Sequence, residues 1–288
     1  MVTTITTGAE AKPYEDSIPL VMAQGMSRNV EALVHKTYVV KLGGSTLEHQ
    51  RMVLQDIVRL HMSGAEVVLV HGGGPYINEW LRRLAIPTHF EQGLRVTDAQ
   101  TLEVVRMVLC GQINQQLVAM ISQMGGKAVG LCGTDDNMVQ AHIADERLGL
   151  VGMVDKIDAT LVQDVLEKGY IPIIAPLGLD VDGSCLNINA DLVAAHLAGA
   201  LHADRLIFLS NVNGICQADG SLITELHACE AHSMIDQGVI CGGMIPKVQA
   251  GLDALVDVPC VHIVNGGISH VLLSELEDKP GVGTFILR

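Results

Sequence analysis

Five short β-branched runs constrain this chain more than any other feature: Thr37-Tyr38-Val39-Val40, Val67-Val68-Leu69-Val70, Ile171-Pro172-Ile173-Ile174, Leu206-Ile207-Phe208-Leu209 and Val261-His262-Ile263-Val264. Each is followed by glycine or a polar turn and then by a stretch of helical period. Alternation of this kind predicts an α/β fold with a mostly parallel central sheet covered by helices on both faces. Two crossover helices are expected. One runs from Gln50 to Met62, with Met52, Ile57, Val58 and Leu60 on its apolar side, and one from Asp98 to Gln123 through Leu102, Val105, Val108 and Leu109. Val139 to Met153 is expected to form a β-hairpin flap at the end of the sheet.

Composition narrows the function classes. With 288 residues and an apolar fraction of 49%, the chain has material for a large core, as one large α/β unit or two lobes. Its 1 Trp, 4 Tyr and 3 Phe make that core aliphatic and leave little for stacking on nucleic-acid bases. A formal charge of −14 argues against a protein that tracks a phosphate backbone. No apolar run approaches the roughly 18 residues of a membrane helix. The opening MVTTITTGAEAKPYEDS has neither a basic nor an apolar region of a secretory signal, so a cytoplasmic location is expected. Residues 1–12 read as a disordered tail, and Ile18 to Val34 carries helix-compatible spacing broken by Gly25, giving an N-terminal arm over residues 1–35.

The seven cysteines, Cys110, Cys132, Cys185, Cys216, Cys229, Cys241 and Cys260, are scattered without a CxxC pair. They read as buried small apolar residues, not as a disulfide or zinc framework. The 12 histidines show no ligand spacing. Only His71, beside a glycine loop, stands apart.

Ligands of open α/β sheets bind beyond the carboxyl ends of the strands, and two glycine clusters fall there. One is Lys41-Leu42-Gly43-Gly44-Ser45 and the other His71-Gly72-Gly73-Gly74-Pro75. Glycine backbone can approach an anion closely, and the following helix N-terminus adds its positive dipole end. Neither loop has the P-loop or Rossmann pattern. Three further segments complete the set. Gly93-Leu94-Arg95-Val96-Thr97-Asp98 sets a guanidinium, suited to a carboxylate, before a helix N-cap. Asn187-Ile188-Asn189-Ala190-Asp191 leads into a helical pattern, and Gly242-Gly243-Met244-Ile245-Pro246-Lys247 puts a second lysine just inside another helix. Taken singly, Asp191 reads as an N-cap or first-turn acid and Lys247 as a surface lysine.

The order KLGGS, VHGGGP, GLRVTD, NINAD, LSNVNGI, GGMIPK resembles the amino-acid kinase family from about Lys36 to the C-terminus, and within it the branch of arginine biosynthesis that phosphorylates N-acetyl-L-glutamate. The resemblance implies a three-layer αβα sandwich of two lobes. Residues 36–202 would bind the acyl amino acid and residues 203–288 ATP with Mg2+, and the γ-phosphoryl group would pass to the side-chain carboxylate. Matched residue by residue, Lys41 and Lys247 take the places of the lysines that neutralise the phosphoryl group in flight, and Asp191 that of the acid holding both. Gly73, Gly74, Arg95 and Asn187 match acyl-amino-acid contacts, Gly43 and Gly44 the phosphate loop. Asn211, Gly214 and Met244 fall on the nucleotide side, and no side chain is assigned to a metal.

The chain departs from the pattern in two places. Thr134, in GLCGTDDN, stands where many relatives have a lysine in a GLSGKDGN-like loop, and Asn211 replaces the aspartate usual in an (S/T)DV segment. Arginine-inhibited relatives carry an N-terminal helix that links dimers into a hexamer and a C-terminal H…E…G pattern, here matched by His270, Glu275 and Gly281. The tyrosine of their arm aligns with Asn29. L-arginine as an inhibitor and a homo-oligomer, dimer or hexamer, are therefore implied partners. Two alternatives stay open. One is a kinase for carrier-bound glutamate or aminoadipate, and the other is a non-catalytic arginine-sensing paralogue, against which Lys41, Asp191 and Lys247 speak.

Overall fold

The computed structural model describes residues 34–44, 50–91, 93–217, 219–276 and 282–288. Strand β1 (Thr37–Leu42) leads to α1 (Gln50–Met62), β2 (Glu66–His71) and α2 (Gly74–Arg83). The short pair β3 (Phe90–Glu91) and β4 (Leu94–Arg95) precedes α3 (Ala99–Arg106), which continues through a π-helical stretch, Met107–Asn114, into α4 (Gln115–Gln123). Next come β5 (Ala128–Cys132), β6 (Val139–Ile143), β7 (Val151–Ile157), α5 (Thr160–Glu167), β8 (Ile171–Ala175), β9 (Leu177–Leu179), β10 (Cys185–Ile188) and α6 (Ala190–Ala200). The remainder holds β11 (Arg205–Ser210), β12 (Glu225–His227), α7 (Ala228–Asp236), α8 (Met244–Ala254), β13 (Val261–Asn265), α9 (Val271–Leu276) and β14 (Thr284–Leu287).

Eight strands form one sheet in the order β12-β14-β13-β11-β1-β2-β8-β5. The five apolar runs are its adjacent members β13, β11, β1, β2 and β8, all parallel. Among the described residues of this sheet, only β13 and β14 run antiparallel. Alternate residues of each strand feed two cores. Val39, Val68, Val70, Ile174 and Phe208 face α5, α6, α7 and α8. Val40, Leu42, Val67, Leu69 and Ile207 face α1, α2, the long helix and α9. Burial on both faces is why these runs lack polar alternation. The three-layer α/β sandwich is as expected, and the sheet passes unbroken from β2 through β1 to β11.

The continuous helix Ala99–Gln123 corrects one expectation. Its 25 residues, with a mean hydropathy of 1.3 over the most apolar stretch, are enough by length and composition to cross a membrane. Val105, Leu109, Ile113, Leu117 and Ile121 instead place its apolar face in the second core. A second correction concerns the cysteines. Cys110, Cys132, Cys185 and Cys260 are half-buried and Cys216, Cys229 and Cys241 exposed, because they fall at strand ends, in loops and on helix flanks instead of at inward positions.

The expected hairpin is β6 against β7, and β9 and β10 close it into a small barrel. Thr97 joins this barrel through a parallel bridge to Gly149. Apart from the turn at Val34 and His35, the N-terminal arm with Asn29 lies outside the described residues, as does Gly281.

Candidate active site

Three charged side chains meet at the centre of the molecule. Lys41 lies in β1, Asp191 in the first turn of α6 and Lys247 in α8. Lys41 Nζ is 2.8 Å from Asp191 Oδ1, and Lys247 Nζ donates to Asp191 Oδ2 at 2.8 Å and Oδ1 at 3.1 Å. All three are largely buried, the side chains of Lys41, Lys247 and Asp191 being 8%, 16% and 6% exposed. That rules out a surface role for Lys247. Nor is Asp191 the cap, because Asn189 holds that position and accepts from the Asp191 amide at 2.7 Å. Burial would raise the pKa of Asp191, but the two ammonium groups and their hydrogen bonds prevail and hold it below the usual carboxylate range. Burial first and then Lys41 pull the Lys247 pKa down, against the attraction of Asp191. One carboxylate between two ammonium groups leaves a net positive charge out of water, which an anion can complete.

A pocket of about 180 Å³ opens beside this trio, and all four residues matched to the acyl amino acid, Gly73, Gly74, Arg95 and Asn187, line it. Asn189 and Ala190, immediately before Asp191, line it as well. The two glycine loops meet here. A Cβ on Gly44 would lie 2.9 Å from Pro75 Cδ and 3.0 Å from the Gly74 amide nitrogen. A Cβ on Gly73 would meet the side-chain ends of Ile113 and Leu109 at 2.6 and 2.7 Å, so backbone approach requires glycine at Gly44 and side-chain packing favours it at Gly73. Gly73 and Gly74 begin α2, whose first amides face the loop junction.

Arg95 is fixed from three sides. Its Nη2 donates to Asn78 Oδ1 and, at 3.4 Å, to the Gly74 carbonyl, while the guanidinium lies 4.6 Å from the Phe90 ring centre. Phe90 is its cross-strand partner in the β3–β4 pair. Its Nη1 is buried and has no hydrogen-bond partner among the described residues, and burial lowers its pKa. A buried guanidinium with one unsatisfied edge is a binding group for a planar anion. Asn187 Nδ2 donates to Thr97 Oγ1 at 3.1 Å, and Thr97 Oγ1 to the Arg95 carbonyl at 2.8 Å. Asp98 caps α3 as expected, accepting from the Thr101 amide at 2.7 Å.

Asn78 and Phe90 belong to no motif of the sequence, and Thr97 enters there only as a member of GLRVTD. Asn78 carried one usable signal, lying four residues after Gly74 and so on the same face of α2. His71 is wholly buried, 3.1 Å from the Gly72 carbonyl and 3.2 Å from Asn114 Nδ2, and burial lowers its pKa to about 4. It ties the second loop to the long helix as a neutral side chain.

On the other side of the sheet's centre, Asn211 follows β11 and is exposed, and Met244 opens α8 against the first core. Gly214 has φ +143°, and a Cβ there would strike Thr284 Oγ1 at 2.6 Å, so packing against β14 accounts for this glycine. Among the residues matched to an arginine site, His270 Nδ1 is 2.7 Å from Asp56 Oδ1 and Glu275 belongs to α9.

Residues 36–265 match the profile of the amino acid kinase family. The chain belongs to that family. An acetylglutamate kinase of Synechococcus sp. is 47% identical over 280 residues, 92% of this chain and 89% of that one. One of Moorella thermoacetica is 45% identical over 271 residues, 88% and 91% of the two chains. Among solved structures, the N-acetylglutamate synthase from Neisseria gonorrhoeae complexed with coenzyme A and N-acetyl-glutamate superposes with a TM-score of 0.80 at 26% identity, over 90% of this chain and 61% of that one.

Proposed function

We propose that this amino acid kinase transfers the γ-phosphoryl group of ATP to the side-chain carboxylate of N-acetyl-L-glutamate, giving an acyl phosphate and ADP in arginine biosynthesis. The observation that carries the reading is the placement of a buried, half-satisfied Arg95 in a glycine-lined pocket whose wall runs through Asn189 and Ala190 to Asp191 of the Lys41–Asp191–Lys247 trio. Acetylglutamate kinases identical at 45–47% over most of the chain support it.

In this reading Arg95 holds the α-carboxylate, Asn187 and the Gly73–Gly74 backbone hold the acylated amide end, and the side-chain carboxylate points at the trio. A carboxylate is ionised at neutral pH, so no general base is needed. Bringing it to a polyphosphate opposes two anions, and Lys41 and Lys247 offset that repulsion. Their charges are most valuable as negative charge builds on the oxygens of the group in flight. As the carboxylate oxygen bonds to the γ-phosphorus, the bond to the β,γ-bridging oxygen breaks, and ADP takes that electron pair.

Gly43 and Gly44 would cradle the phosphates, with Asn211, Gly214 and Met244 on the nucleotide side in residues 203–288 and the acyl site in residues 36–202. Mg2+ fits as an ion carried by the nucleotide's phosphates, since the described residues contain no group of three or more His, Cys, Asp or Glu able to hold it. The resemblance supports a cytoplasmic homo-oligomer, dimer or hexamer, with L-arginine as an inhibitor acting through His270, Glu275 and Gly281.

The test is ADP release measured with N-acetyl-L-glutamate, glutamate and aminoadipate as acceptors. Turnover with N-acetyl-L-glutamate above the other two is expected, and turnover with none overturns the assignment. Arg95→Lys separates the subsites. A point charge cannot reproduce the fork or its stacking on Phe90, so KM for N-acetyl-L-glutamate is expected to rise about 10- to 100-fold, as for loss of a charged hydrogen bond. KM for ATP should stay near the wild-type value, and equal rises in both would place Arg95 outside the acyl site.

A further inference from the structure

Cys110 and Cys132 meet in a place that no step of the proposed phosphoryl transfer uses. Cys110 belongs to the π-helical stretch and Cys132 ends β5, yet their sulfurs are 3.6 Å apart, with the Cys110 thiol donating to Cys132 Sγ. Thr134, the first departure noted in the sequence, donates its hydroxyl to the same sulfur at 3.1 Å. The Cys132 amide in turn donates to Asp135 Oδ2 at 2.8 Å, fixing the turn. Both thiols are half-buried, so solvent reaches them while the fold holds them together.

We propose that Cys110 and Cys132 form a peroxide-oxidisable dithiol, with Cys132 the reacting and Cys110 the resolving thiol, whose closure to a disulfide reshapes the wall of the acyl pocket. Hydrogen bonds converging on one sulfur favour its thiolate. The bond from Cys110 comes first and those from Thr134 support it, and against burial they lower the Cys132 pKa to about 6, whereas the same Cys110–Cys132 bond and burial push Cys110 up. The two thiols thus differ as an attacking and a resolving pair should.

The chemistry is a two-electron oxidation by hydrogen peroxide. Cys132 thiolate attacks one peroxide oxygen; an S–O bond forms, the O–O bond breaks, and the departing oxygen takes a proton and leaves as water. Cys110 sulfur then attacks the sulfenic sulfur of Cys132; the S–S bond forms, the S–O bond breaks, and hydroxide takes the Cys110 proton as a second water. Two thiols lose two electrons and two protons in all, and one peroxide becomes two waters.

The consequence for the pocket follows from chain neighbours. Leu109, just before Cys110, lines the pocket and packs under Gly73. Just after Cys132, the Gly133 amide donates to the Ala175 carbonyl at 3.0 Å, next to Pro176 of the pocket wall. The sulfurs close from 3.6 Å to a bond of about 2.05 Å, which draws these two wall segments together. The dithiol stands on its own geometry, while its effect on turnover rests on the proposed acyl site.

The test treats the full-length protein with hydrogen peroxide, caps remaining thiols with N-ethylmaleimide and maps the peptides by mass. A cross-linked pair joining Cys110 and Cys132, lighter by two hydrogens and reversed by dithiothreitol, is expected. KM for N-acetyl-L-glutamate should rise roughly tenfold, a loss of about 1.4 kcal/mol in acceptor binding, with KM for ATP little changed. Cys110→Ser should keep its turnover before oxidation, give a dimedone-trapped sulfenic acid at Cys132 and form no bridge. Thr134→Val should slow the reaction. Maleimide on both Cys110 and Cys132 after peroxide has consumed Cys216, Cys229 or Cys241 overturns the proposal, and equal inhibition of the Cys110→Ser protein overturns its effect on the pocket. Absence of any acyl-kinase turnover alongside an intact cross-link would instead sink the proposed function alone.

Discussion

Alanine at Lys41 or at Lys247 lowers kcat by about 10²–10³ while the protein stays folded and still binds both substrates, because each lysine acts on charge that develops only during transfer. The geometry explains why the fold survives. Asp191 is shared, so removing either lysine leaves the carboxylate paired with the other at 2.8 Å. What is lost is the second cation facing the phosphoryl group. The double variant is expected to fall short of the product of the single losses, since both lysines act on one transferring group. Steady-state kinetics on purified variants, with folding checked by circular dichroism, measures this. Wild-type kcat in both single variants would remove the trio from the chemistry.

The contrast between fold and site shows what a sequence can disclose. The five central strands were legible because burial on both faces left each an unbroken apolar run, as in Val67-Val68-Leu69-Val70. β5 was not: Ala128–Cys132 is a half-exposed edge strand interrupted by Gly130. β12 and β14, three and four residues long, were too short to show a period. The charged trio became legible only as a set of motifs, because its members lie far apart in sequence and each alone has an ordinary reading. The residues that hold Arg95 were hidden for a different reason. Phe90 reaches it through strand pairing and Asn78 through the placement of α2, and neither contact has a signature of its own. Thr134 looked like a lost cation, yet in the fold it is a hydrogen-bond donor to a thiol. The sequence could register the missing charge but could not show which atom its replacement touches.

Asp191→Asn is the complementary experiment, and it strikes stability where the lysine variants strike turnover. The amide leaves two buried ammonium groups facing each other without a counter-charge, a loss of about 3–5 kcal/mol on the scale of broken buried ion pairs. Its pH dependence has a definite sign. The folded Asp191 pKa is depressed by Lys41 and Lys247 in spite of burial, so its contribution is complete above the unfolded value of about 3.9 and is lost as the pH falls from there through the lowered folded value. Lys247 is also depressed, by burial first and then by Lys41, so it costs stability in full below its folded value, and that cost is relieved as the pH rises from there to the unfolded value. Without Asp191 that cost grows, and the variant should recover as the medium becomes alkaline. Denaturant unfolding across pH should therefore show the widest gap between wild type and variant near neutrality, narrowing towards both extremes. Inorganic phosphate should close part of the neutral gap by supplying the missing negative charge to the folded state. A variant as stable as wild type at neutral pH, and indifferent to phosphate, would mean that the three charges do not depend on one another.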